Sequence, residues 1–138
     1  MSQTQSPPEA STQTFKIVWA ALTFSILIYA VVAVLVPGPE EPTNQVLPIA
    51  LMGMACIAAA LAMIGIPSLF KPTKPEQLFT FFIIQWALCE AVATFGLVSH
   101  LSGGPTWSFW SPLGLSVLLM LMLYPSDNRI DELTSTMP

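Results

Sequence analysis

Between Ile17 and Val36 the chain runs for twenty residues without a charged side chain, and three further stretches, residues 46–66, 78–101 and 107–124, are nearly as apolar. At 1.5 Å rise per residue, a helix of about twenty residues covers the roughly 30 Å hydrocarbon core of a bilayer. No water reaches backbone N–H and C=O groups inside that core, so a crossing segment must be a helix or part of a closed barrel. These lengths suit helices. The expected fold class is all-α, a polytopic membrane protein with four transmembrane helices at about 17–36, 46–66, 78–101 and 107–124. Punctuation agrees: Pro37, Gly38 and Pro39 close the first span, Pro67 the second, the Ser102-Gly103-Gly104-Pro105 turn the third and Pro125 the fourth.

Composition removes the alternatives. Only 9% of the 138 residues are charged, where a soluble domain carries about 25%, so a water-soluble bundle could not coat its outside. Four scattered bases against eight acids make no basic stripe, and nucleic acid is excluded as a partner. Two cysteines without a CxxC pair and a single histidine are too few for a metal site or a disulfide framework. No metal or other cofactor is expected. No nucleophile paired with a base and no phosphate-binding glycine loop is present, so an enzyme is not expected either.

Residues 1–15 are mostly Ser, Thr, Gln and Pro and lack the basic start of a signal peptide. They are expected to form a disordered polar tail, with the first span retained as an anchor and the membrane domain covering 16–125. Residues 126–138 are expected as a frayed polar tail. With four spans, Lys16, Lys71, Lys74 and Arg129 all fall on one side, while the loop with Glu40 and Glu41 and the Ser102–Pro105 turn have no base. Short loops rich in Lys and Arg stay in the cytoplasm, so both termini are expected there, in a bacterial inner membrane. Trp19, Trp107, Trp110 and Tyr124 lie near span ends, as an aromatic belt requires.

Glu90 is the one ionisable residue deep inside a span. It lies twelve residues from Leu78, about 18 Å from the cytoplasmic end and close to the midplane. A carboxylate there costs about 2.5 kcal/mol or more on insertion scales. Low dielectric favours its neutral form, which a proton carrier needs. A neutral carboxyl can also simply glue helices together through a hydrogen bond. Equal depth makes Tyr29, Cys56 and Ser116 possible partners, and Thr94 lies one turn along the same face. Depth alone does not choose among them.

The second span adds a small-residue side, notably Gly53, Ala55, Ala59 and Ala62, where helix backbones can approach closely in lipid. This face fits either a neighbour inside the monomer or another subunit. His100 reads as an interfacial residue and the methionines as filler. Gln85 sits about 140° round the helix from Glu90 and is expected to serve another contact.

The pieces GMACIAAALAMIG, KPTKPEQ and WALCEAVATFGLV in order give a small-residue helix, a loop with Lys74-Pro75-Glu76 and a helix with a central carboxylate before Phe95-Gly96-Leu97-Val98. In this arrangement residues 46–101 resemble the helical hairpin of the proteolipid, subunit c, of rotary ATP synthases. The resemblance implies an ion carrier at Glu90 and a partner-facing loop at Lys74-Pro75-Glu76. Ala91 after the carboxylate, with no glutamine in the second span, then implies protons rather than sodium. Two functions follow as expectations. One is a small membrane subunit, embedded in the lipid bilayer as a homo-oligomer or beside other membrane subunits, that moves or senses protons through Glu90. The other is a non-catalytic scaffold or assembly subunit with Glu90 as an interhelical anchor.

Overall fold

In the computed structural model, residues 9–39 and 45–135 are described, the side chains of residues 9–11, 75 and 76 excepted. The acidic loop at Glu40 and Glu41 lies outside the described residues. Those described contain helices and turns and no strand. The helices are α1 (Glu9–Leu35), α2 (Val46–Ala60), a π turn (Leu61–Gly65), α3 (Ile66–Leu69), α4 (Pro75–Leu101), α5 (Trp107–Met122) and α6 (Asp127–Ser135). Three are long and apolar enough to cross a membrane: Thr12–Leu35, Val46–Leu69 (α2 through α3) and Gln77–Leu101. α5 and α6 amount to a fourth span only if this pair, bent by 65°, counts as one. The 16 residues of α5 reach about 24 Å, short of the hydrocarbon thickness.

Helix reaches into both expected tails. α1 already begins at Glu9, because Phe15 gives its first turns something to bury. That ring packs edge-on against Phe79, Phe82 and Trp86 of α4, with centroids 5.2, 5.4 and 6.4 Å away. At the other end, residues 127–135 form α6 instead of a frayed tail. Ser126 Oγ accepts the Arg129 amide at 3.4 Å as an N-cap, Ile130 is buried and Leu133 packs against the core. The Arg129 guanidinium lies 5.3 Å from the centroid of the Phe82 ring. Lys16 pairs with Asp127 at 3.0 Å, an exposed contact of small energetic value. The connection between the second and third expected spans is also shorter than their bounds of 66 and 78 imply, since α3 extends to Leu69 and α4 starts at Pro75.

α4 is the central helix. α1, α2 and α5 all pack on it, and α5 also meets α1 and α2. Gly96 lets α5 approach: a Cβ there would lie 3.1 Å from the Phe109 carbonyl oxygen and from the Pro112 ring. The connection from α4 to α5 turns at Gly103, whose φ of 78° favours glycine. Gly104 has no room for a Cβ, which would fall 2.7 Å from the Ser99 carbonyl oxygen.

Two helix irregularities are closed by side chains from α4, the second together with one from α1. In the π turn the Ile66 amide donates to the Leu61 carbonyl, one residue further back than in an α-helix. The Ala62 carbonyl thereby loses its α-helical donor, and its π-helical donor would be residue 67, a proline without an N–H. Gln85 Nε2 supplies the missing bond at 2.8 Å. At the end of α5 the Trp19 and Trp86 indoles donate to the Met120 and Leu123 carbonyls at 2.9 and 3.1 Å. Both carbonyls belong to a last turn that cannot continue past Pro125.

Gln85→Leu keeps the bulk of the side chain and leaves the Ala62 carbonyl without a donor in a dry interior. The expected result is a loss of about 1–3 kcal/mol, read as a lower denaturant midpoint for unfolding in detergent micelles.

Candidate functional site: the Glu90 carboxyl between α1 and α4

Ser25 and Tyr29 are four residues apart on α1, so their side chains rise from one face on successive turns. That face packs on α4 at Glu90. Tyr29 Oη donates to Glu90 Oε1 at 2.8 Å, and Ser25 Oγ lies 2.6 Å from the same oxygen. Ser25 Oγ is also 2.7 Å from the Leu22 carbonyl. Thr94 Oγ1 donates to the backbone carbonyl of Glu90 at 3.1 Å. The two side-chain bonds to the Glu90 carboxyl both end on Oε1. Glu90 is half-buried and forms part of an open groove with Ala87, Ala91, Thr94 and Phe95. This groove continues through Ala91 and Phe95 into a second one toward α2, lined also by Met54, Ile57, Ala58, Leu61 and Leu88.

Of the partners considered from depth, the structure brings Tyr29 to the carboxyl. Thr94 binds the Glu90 backbone and not its carboxyl. Ser116 is fully buried on α5 and donates to the carbonyl of Cys89, the residue before Glu90, at 2.6 Å. It faces the α4–α5 contact, on another side of α4. Cys56 is exposed on α2, since the rotation of that helix turns Ala55, Ala58 and Ala62 inward and Cys56 out. Sequence reasoning missed Ser25, whose signal was its spacing of four from Tyr29, one helical turn along the same face.

The small-residue side of α2 divides in the same way. Ala55 and Ala62 are buried at 1% and 0% exposure and Ala59 is half-buried, with α4 as the helix packed on α2. Gly53 is exposed, with nothing within 4 Å of where its Cβ would be. His100 ties α1 to α4: its Nε2 lies 3.1 Å from the Val36 carbonyl, which can only accept, so Nε2 carries the hydrogen. Among the described residues no group of three or more His, Cys, Asp and Glu could hold a metal ion. No protein-family model matches this chain, and neither a curated protein nor a solved structure matches it.

The hydroxyl pair makes Glu90 part of the α1–α4 contact. Glu90→Leu removes the acceptor for both hydroxyls and is expected to lower stability by about 1 kcal/mol, given the modest value of interhelical hydrogen bonds in membranes. Glu90→Gln retains an acceptor oxygen and is expected to unfold at nearly the wild-type midpoint. Denaturant titration of the two variants side by side checks this.

Proposed function

We propose that this chain is a small integral membrane subunit that takes up and releases protons at Glu90. The observation that carries the reading is the asymmetry of the carboxyl. Oε1 is held by two hydroxyl donors from α1, while the rest of the group borders a groove open to the surroundings. Two hydroxyls fix one carboxyl oxygen in place. A carboxyl held this way can exist charged or neutral at membrane depth, and the open side lets a proton arrive and leave. The likeness of residues 46–101 to a proteolipid hairpin agrees with a carrier at this position, and on that likeness the chain works in an oligomer or beside other membrane subunits.

The same two hydrogen bonds favour a second reading, a scaffold subunit in which Glu90 joins α1 to α4. Glu90→Gln separates the two. A proton carrier assembles normally with Gln in place and loses its pH-dependent function, and a scaffold keeps everything. Modification by a hydrophobic carbodiimide near neutral pH is expected in the wild type and absent in the Gln variant. A Gln variant that is fully active in the cell would leave the scaffold reading standing.

For orientation we propose both termini in the cytoplasm of a bacterial inner membrane. Lys16 and Arg129 lie at one end of the bundle, joined to Asp127 and Phe82 respectively, and positive residues stay inside. In a background without Cys56 and Cys89, a cysteine at Ser102 is expected to react with an impermeant thiol reagent added to intact cells. One at Thr73 is expected to remain unlabelled until the cells are opened, and the opposite pattern would invert the topology.

A further inference from the structure

Ser25 has one hydroxyl hydrogen and two acceptors, Glu90 Oε1 at 2.6 Å and the Leu22 carbonyl oxygen at 2.7 Å. A single hydrogen serves one of them at a time. An ionised carboxylate accepts a charge-assisted bond about twice as strong as a neutral one, so it draws the hydrogen to Oε1. When a proton is bound on Oε2 the carboxyl is neutral, and Tyr29 continues to satisfy Oε1 at 2.8 Å. The peptide carbonyl of Leu22 is then the better acceptor, and the hydroxyl hydrogen turns to it by rotation about the Cβ–Oγ bond. No covalent bond of Ser25 breaks, and the only proton that enters or leaves is the one on Glu90.

We infer that Ser25 is a positioning residue that transmits the charge of Glu90, on α4, to the backbone of α1 at Leu22. The inference rests on the proposal that Glu90 gains and loses a proton. Few other groups could produce the same response. Tyr29 on α1 is the titratable side chain in contact with Glu90, α2 offers Cys56 on its exposed side, and α5 contains no titratable residue. Leu22 is also placed to respond, since it lies one turn before Ser25 and packs against the core. The ionisation state of a carboxyl on the central helix is thus read on a helix whose other side is largely uncovered, with Phe24, Leu27, Ile28 and Val31 all exposed. That side is where a neighbouring subunit or lipid would meet it.

The chain contains two Leu–Thr pairs, Leu22-Thr23 and Leu133-Thr134. Carbonyl-13C leucine combined with 15N threonine therefore leaves two carbonyl signals in solid-state NMR of the full chain in phospholipid vesicles, and Thr134→Ser identifies the second. In the wild type the Leu22 carbonyl signal is expected to move with pH over the range in which the Glu90 carboxyl band disappears from the infrared spectrum. In Ser25→Ala it should stay still while the carboxyl band still responds, and in Ser25→Thr, which keeps a hydroxyl, it should move again. A Leu22 signal that moves equally in Ser25→Ala, or that is static in the wild type while the Glu90 band titrates, overturns the role of Ser25 and leaves proton binding intact. A carboxyl band that never responds to pH overturns proton binding at Glu90, and the role of Ser25 falls with it.

Discussion

α4 holds the bundle together because it supplies both the packing surface and the hydrogen bonds that the other helices need and cannot supply for themselves. In hydrocarbon an unpaired peptide group costs several kcal/mol, so each break in a helix must be closed by a donor from elsewhere. Gln85 closes the break in the π turn, and Trp86, together with Trp19 of α1, closes the end of α5. Ser116 returns a bond in the opposite direction, from α5 to the α4 carbonyl at Cys89. Most of these groups are buried, and their partners lie on different elements, so the arrangement of the helices is specified by polar bonds as much as by shape.

The aromatic residues show the same dependence. Trp19 and Tyr124 meet edge-on, 4.9 Å between centroids, at the end of the bundle where α1, α5 and α6 converge. Phe82 stacks with Trp86 at 5.4 Å and carries the Arg129 guanidinium on its ring. A membrane-interface belt explains why indoles lie near span ends. The carbonyls that they reach explain why Trp19 and Trp86 point inward, whereas Trp107 and Trp110 stay exposed.

Against this background Glu90 differs from the other polar groups of α4. Gln85 lies wholly inside the helix contact, whereas Glu90 is anchored on one oxygen and borders an open groove. The proposed proton exchange needs a carboxyl that is both held and reachable. Glu90 has one oxygen held by Ser25 and Tyr29 and lies beside Ala87 and Ala91 on the open groove.

What the sequence determined by itself was the helical class, the approximate bounds of the three long apolar helices and the place of Glu90 midway along the third, since hydropathy and residue count depend only on the covalent chain. Tyr29 was legible for the same reason, standing as far into its span as Glu90 does. Rotation about each helix axis was not legible, because it is chosen when side chains on different helices compete for contacts. That choice turned Cys56 and Gly53 outward, set Ser116 on the far side of α4 and brought Ser25 to the carboxyl. The terminal segments followed the same logic: their polar composition read as tails, and only the tertiary structure supplied the partners that make Phe15, Ile130 and Leu133 worth ordering.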